Sequence, residues 1–121
     1  LEQGMDDALE RAFAYVEAGA DGIMIHSRKK DPAEILEFCD KFREKNSRTP
    51  IVVVPTSFNQ ITESELAAHG VNIVIYANQL TRSAFPAMEQ TAKDILRYHR
   101  AKEVDERLMP IKNIITLIDE L

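Results

Sequence analysis

Several features are scarce or missing in this 121-residue sequence, and each absence excludes a class of protein. Cysteine occurs once, as Cys39, so no disulfide can form within the chain. No apolar run approaches the roughly 20 residues that cross a bilayer, and no long basic block offers an electrostatic footprint for nucleic acid. With 15 Lys and Arg against 20 Asp and Glu, the formal charge is −5. The sequence therefore predicts neither a membrane nor a nucleic acid as partner, and indicates a soluble protein of the reducing cytoplasm.

Short motifs that hold metals or nucleotides are also missing. The sequence contains no H-E-x-x-H, C-x-x-C, G-x-x-x-x-G-K-[ST] or G-x-G-x-x-G pattern. It begins with Leu1 instead of Met and has no signal-peptide pattern, so we expect a piece of a longer protein. The sequence contains enough hydrophobic residues for a core, since they make up 45% of the chain, and its length is typical of one domain.

Three short apolar runs, near residues 22–26, 51–55 and 73–77, alternate with segments of helical periodicity. Each run lacks polar alternation, which is typical of a strand buried on both faces of a parallel sheet. Strands that alternate with helices form right-handed βαβ units, so the sequence predicts an α/β fold with three parallel strands and flanking helices. So small a sheet would leave two open edges, which implies a larger parent protein or an intimate oligomer.

The helices have recognisable starts and apolar faces. Asp31, Pro32 and Glu34 are typical of an N-cap, a first helical position and a capping box, and Thr62 with Glu65 repeats the capping-box spacing. A long helix is predicted from residue 81 to about residue 98. Its predicted inward face consists of Ala84, Met88, Ala92, Ile95 and Leu96, and the apolar stripe of the last helix consists of Ile111, Ile114, Ile115 and Ile118.

Polar side chains follow each apolar run at the point where the strand ends. They are His26 and Ser27, then Thr56, then Asn78. Parallel α/β folds bind ligands beyond the carboxyl ends of their strands, and the helix N-termini there favour anions, so we expect a small anionic ligand. The alternative is a structural role, since these residue types also form turns and caps, and for Thr56 and Asn78 the pattern favours it. His26 and Ser27 do not form a catalytic dyad, because neighbouring strand residues point to opposite faces.

Four segments of the sequence resemble one enzyme family. They read EAGADGIMIHS, PIVVVPTSFN, GVNIVIYANQLTRSAFPAM and VDERLMPIKNIITLIDEL, and they run over nearly the whole chain. Their combination resembles the C-terminal half of the phosphoenolpyruvate mutase family, within the isocitrate lyase/phosphoenolpyruvate mutase superfamily. Lyases of the superfamily usually carry a glutamate-bearing motif where this chain has His26 and Ser27. The resemblance therefore favours the branch that handles phosphonates.

The resemblance implies a TIM barrel, to which residues 1–121 would contribute the last three strands and C-terminal helices at 81–121. It also implies an enzyme that interconverts phosphoenolpyruvate and phosphonopyruvate with Mg²⁺, by phosphoryl transfer within one substrate. His26 matches the family histidine that contacts the substrate phosphoryl group, and Ser27, Thr56 and Asn78 match recurring positions with a supporting role. Family members form dimers or tetramers, which implies a homo-oligomer through the C-terminal helices, although an intrachain helical cap fits the same pattern.

Many of the family's catalytic segments have no counterpart in this sequence. The Trp-x-Ser-Gly segment, the acidic metal ligands, the gating loop and an arginine belong to the family's N-terminal half, and this chain has no tryptophan. We therefore expect the Mg²⁺ ligands to lie outside this chain, and no mutase activity from these 121 residues alone. Phosphonopyruvate hydrolase is an alternative within the superfamily. A non-catalytic α/β interaction module is an alternative from another class, and a well-folded monomer in size-exclusion chromatography would favour it.

Overall fold

The fold was obtained as a computed structural model that describes residues 1–117. Its elements alternate between helix and strand in the predicted order, and Ile118 and the rest of the predicted helical range to residue 121 lie outside the described residues. In chain order the elements are α1 (Met5–Glu17), β1 (Ile23–Ile25), α2 (Ala33–Lys45), β2 (Ile51–Val53), α3 (Glu63–Ala68), β3 (Ile73–Val74), α4 (Gln79–Tyr98), a 3-10 helix (Lys102–Arg107) and α5 (Ile111–Ile115).

The chain divides into two compact units. We call Leu1–Asn78 the sheet unit and Gln79–Leu121 the terminal unit. The sheet unit contains all three strands, in the order β1-β2-β3, and both neighbouring pairs are parallel. The predicted parallel α/β arrangement with flanking helices is confirmed. The strands are shorter than the apolar runs; after β2, for example, the N–H of Thr56 donates to the carbonyl of Val54 at 2.8 Å and turns the chain.

The core of the sheet unit lies on one face of the sheet. Ile23, Ile25, Ile51 and Val53 point toward α1, α2 and α3, and they form one buried cluster with residues of those helices. Alternate side chains of a strand point to the opposite face, and there the exposed fraction reaches 58% for Met24. The expectation of strands buried on both faces is therefore wrong for this chain, because α1, α2 and α3 cover one face alone.

Arg43 joins the loops at the amino ends of β2 and β3. Its guanidinium donates to the carbonyl oxygens of Gly70, Asn46 and Thr49 and to Oδ1 of Asn72, at 2.7 to 3.1 Å. Gly70 has a φ of 81°, and a Cβ there would lie 2.6 Å from Nε of Arg43. These bonds stabilise the end of the sheet opposite the predicted site.

The described part of the terminal unit, residues 79–117, buries little of its apolar surface. Helix α4 has no buried residue, so the predicted inward face that includes Met88 and Leu96 is exposed, and the prediction is wrong in this chain. An amphipathic pattern predicts a face that needs a partner surface, but it does not supply that surface. Val104 of the 3-10 helix is fully buried, and Arg107 pairs with Asp94 of α4 at 2.5 Å. Among the described residues, no helix is both long and apolar enough to cross a membrane.

Candidate functional site

His26 and Ser27 follow β1 directly and differ in exposure. The side chain of His26 is exposed. Its two neighbours in the sequence are buried, with Ile25 at 7% and Ser27 at 4% exposure. The alternation of a strand therefore continues past its last residue and directs the two side chains to different surroundings. Among residues 1–117, no hydrogen bond or ion pair holds the imidazole of His26, which leaves both ring nitrogens accessible to a ligand.

The hydroxyl of Ser27 has protein partners. It donates to Oε1 of Glu34 in the first turn of α2, and it accepts the backbone N–H of Lys29 at 3.1 Å. The ammonium of Lys29 lies 2.5 Å from Oε2 of the same glutamate. One carboxylate thus binds both the buried hydroxyl and the cation of the loop that follows His26.

The predicted capping box at the start of α2 is not formed. Helix α2 has no side-chain cap on Pro32, and Oδ1 of Asp31 accepts the N–H of Ala33 at 2.9 Å. Glu34 binds Ser27 and Lys29 instead of its own helix start, because the Lys29 ammonium adds an ion pair that a backbone N–H does not offer. The predicted capping box of Thr62 and Glu65 does form at α3.

The charges of this network reinforce each other. The hydrogen bond from Lys29, followed by that from Ser27, lowers the pKa of Glu34, and the bond to Glu34 raises the pKa of Lys29. Both groups therefore stay charged at neutral pH. The loop between β1 and α2 carries a fixed ion pair at its base.

A cavity of about 540 Å³ opens beside this loop. His26, Ser27, Arg28, Lys29 and Glu34 line one side of it. The lining is completed by Leu1, Glu2, Gln3 and Arg11. The cations of this lining, Arg11, Arg28 and Lys29, each pair with a carboxylate, so the lining carries no large excess of positive charge.

Thr56 and Asn78 are not part of this cavity's lining. The parallel order of the strands places the ends of β1, β2 and β3 at one edge of the sheet, so both residues follow strands that end at the same edge as β1. Each is partly buried. The structure brings His26 and Ser27 together with Glu34, which the sequence pattern assigned to a helix start, and with Lys29.

Other reactive side chains of the sheet unit have structural surroundings. Burial raises the pKa of the Cys39 thiol to about 11, so this residue is a core side chain and not a nucleophile. His69 ends α3, and its Nδ1 lies 2.7 Å from Oδ1 of Asp40 in α2. Within residues 1–117 no group of three or more His, Cys, Asp or Glu residues is arranged to hold a metal ion. The donor set of these residues does not fit Mg²⁺, which needs several oxygen ligands.

The sequence profile of the phosphoenolpyruvate phosphomutase family matches residues 1–96. A phosphonopyruvate hydrolase from Variovorax sp. is 44% identical over 115 residues, which are 94% of this chain and 39% of the relative. A phosphoenolpyruvate phosphomutase from Streptomyces viridochromogenes is 40% identical over 115 residues, 95% of this chain and 36% of the relative. The chain therefore spans less than two fifths of the length of these relatives.

Comparison with solved structures tests the fold. The crystal structure of a phosphonopyruvate hydrolase in complex with oxalate and Mg²⁺ matches 93% of this chain and 39% of its own, with a TM-score of 0.82 and 43% identity. The three parallel strands and their helices are part of a TIM-barrel fold, as expected from the resemblance.

Proposed function

Because the chain belongs to the phosphoenolpyruvate phosphomutase family, we propose that it is the C-terminal part of an enzyme that interconverts phosphoenolpyruvate and phosphonopyruvate. Its relatives are enzymes of this superfamily, both mutases and hydrolases. The observation that carries the proposal is the imidazole of His26. It lines the cavity at the carboxyl end of β1, and no side chain among residues 1–117 occupies its nitrogens.

The proposed reaction moves one phosphoryl group within one molecule. The bond between phosphorus and C3 of phosphonopyruvate breaks, its electron pair forms the double bond of enolpyruvate, and the enol oxygen bonds to phosphorus. The transition state is loose, with charge spread over the phosphoryl oxygens. A ring N–H of His26 would donate to one of these oxygens and stabilise that charge. Ser27 acts on this step indirectly, through its bond to Glu34, and Thr56 and Asn78 support the strand ends.

In this proposal the residues that bind a metal ion lie in the rest of the protein. A related hydrolase is seen with Mg²⁺ and oxalate, and such an ion would neutralise charge on a bound anionic substrate. The described residues of this chain do not offer a ligand set for it. We place the ligands outside this chain, and the proposed roles of His26, Ser27, Thr56 and Asn78 are independent of the ion.

Hydrolysis of phosphonopyruvate is the second candidate reaction. The hydrolase from Variovorax sp. is 44% identical to this chain, against 40% for the mutase from Streptomyces viridochromogenes. In hydrolysis, water supplies oxygen to phosphorus and a proton to C3, and the products are pyruvate and inorganic phosphate. The same contact between His26 and the phosphoryl oxygens serves both reactions.

Phosphorus NMR of the full-length protein with phosphonopyruvate and Mg²⁺ separates the candidates. We expect conversion to phosphoenolpyruvate, whereas formation of inorganic phosphate would assign the hydrolase, and no turnover would overturn both.

His26→Ala should lower kcat by about 10² to 10³, as for loss of one donor to a developing charge. His69→Ala, which removes an imidazole bound to Asp40, should leave kcat unchanged. Residues 1–121 alone should show no turnover.

We also propose that the C-terminal helices join subunits of a homo-oligomer. Large apolar side chains of α4 are exposed in this chain, including Leu80, Phe85 and Met88. A set of apolar side chains exposed along one helix is typical of a protein interface. An intrachain cap made by the rest of a barrel is the alternative occupant of this face.

A further inference from the structure

The direction of the His26 side chain depends on contacts that its neighbours make. Its imidazole has no hydrogen bond among residues 1–117, so its own side chain does not fix it. The backbone before it is held by buried Ile25 in β1, and the backbone after it is held by buried Ser27. The backbone that carries His26 therefore depends on what holds Ser27 in place, and its carbonyl oxygen also accepts from the ammonium of Leu1 at 3.4 Å.

Glu34 is the residue that holds Ser27. Its carboxylate accepts the Ser27 hydroxyl with one oxygen and pairs with Lys29 through the other, and the N–H of Lys29 binds the Ser27 oxygen. The side chain of Glu34 is 18% exposed and Ser27 is buried, so the bond between them is better shielded from water than the pair with Lys29, whose side chain is 69% exposed. The loop after His26 is thus bonded to one carboxylate at two places.

The carboxylate itself is fixed by a rigid support. Glu34 lies in the first turn of α2, and its neighbour Ile35 is fully buried, as are Phe38 and Phe42 further along the helix. A helix held by such side chains does not shift without disturbing the core. The chain of contacts therefore runs from the core, through Glu34 and Ser27, to the backbone of His26.

We propose that Glu34 is a positioning residue that acts through Ser27 to direct the His26 imidazole at the phosphoryl group of the substrate. This inference rests on the proposed function, since it deepens the role of the same site. Glu34 does not touch the substrate. Its contribution is made before the reaction, by holding the donor in the geometry that the transition state requires.

A double-mutant cycle in the full-length protein tests the proposal. Glu34→Ala and Ser27→Ala should each lower kcat for phosphonopyruvate by about 10- to 100-fold, because each removes a hydrogen bond to a charged group. Glu34→Gln, which can still accept from Ser27, should recover part of the loss. In a His26→Ala background, Glu34→Ala should have no further effect, since the two residues act as one unit.

Two controls separate positioning from general damage. Glu37→Ala removes a carboxylate from the same helix, paired with Lys41 at 2.6 Å and away from the cavity, and should leave kcat unchanged. Inhibition by oxalate, which has no phosphoryl group and is bound by a related hydrolase, should be the same in Glu34→Ala as in the wild type. Equal losses with and without His26, or a matching loss of oxalate affinity, would overturn the inference.

The imidazole resonances of His26 give a readout that does not need turnover. In ¹H–¹³C NMR we expect one narrow His26 signal in the wild type, and a shifted or broadened one in Glu34→Ala and Ser27→Ala. An unchanged signal in both variants would overturn the inference. If the wild type does not turn over phosphonopyruvate, the proposed function fails, and these resonances still decide whether Glu34 positions His26.

Discussion

The sheet unit and the terminal unit both contain amphipathic helices, yet they differ in what those helices bury. All thirteen residues of the buried hydrophobic cluster belong to the sheet unit. In the described part of the terminal unit, Val104 is buried, while side chains such as Phe85 and Leu96 are 63% and 73% exposed. In the sheet unit, α1, α2 and α3 pack on one face of the sheet, and residues of this unit alone form the core. Residues 79–117 have the apolar faces but not the surface that would cover them.

Truncating one phenylalanine in each unit should give the largest contrast. Phe38 is fully buried and stacks on Phe42 with ring centroids 5.9 Å apart, so Phe38→Ala should lower the free energy of unfolding by about 3 to 5 kcal/mol. The same change at Phe85 should alter it by less than about 0.5 kcal/mol, as for an exposed side chain. Urea unfolding of the 121-residue chain measures both. Equal losses would mean that α4 is covered as well as α2 is.

A glycine pair tests how the sheet unit holds the amino ends of its strands. Gly70→Ala places a Cβ against Arg43 and also strains a residue with a φ of 81°, so we expect a loss of about 2 kcal/mol in the free energy of unfolding. Gly19 has a φ of 99°, but a Cβ there would meet open space. Gly19→Ala should therefore lower the free energy of unfolding by about 1 kcal/mol, from backbone strain alone.

The difference between the two variants isolates the Arg43 contacts. Thermal unfolding followed by circular dichroism provides the comparison. An Arg43→Ala variant should lose the bonds to the Gly70 carbonyl and also the side-chain atoms that the new Cβ would meet, so Gly70→Ala in that background should cost no more than Gly19→Ala. A larger cost in that background would show that another neighbour restricts Gly70.

The sequence predicted the elements of the sheet unit well, because their signals are local. Hydrophobic periodicity, the capping box of Thr62 and Glu65 and the apolar runs all depend on residues a few positions apart. Burial was predicted less well. Met24 and Met88 lie where the patterns predict buried positions, yet both are exposed, since a pattern does not reveal which partner surface a chain contains.

The candidate site was predicted in part for a similar reason. A polar residue directly after an apolar strand marks His26 and Ser27, because parallel strands end at the ligand face. Glu34 was missed as a site residue, since its position three residues after Asp31 fits a capping box equally well. Only the folded loop places its carboxylate on Ser27 and Lys29 rather than on the helix start. A glutamate that has two possible partners cannot be assigned from spacing alone.

The smallest difference between the units should be in how far acid lowers the free energy of unfolding. Bonds from Lys29 and Ser27 lower the pKa of Glu34 below its ordinary 4.5, so the unfolded chain binds this proton more readily than the folded one. The stability from Glu34 is therefore present above that ordinary value and is lost as pH falls through the folded pKa. Arg100 lowers the pKa of Glu103 in the terminal unit, but Glu103 lacks the second bond that Glu34 makes, to the buried hydroxyl of Ser27. Urea unfolding between about pH 6 and pH 3 should show a shallower decline in Glu34→Gln than in the wild type, and an unchanged decline in Glu103→Gln. The reverse order would assign the acid-sensitive ion pair to residues 79–117.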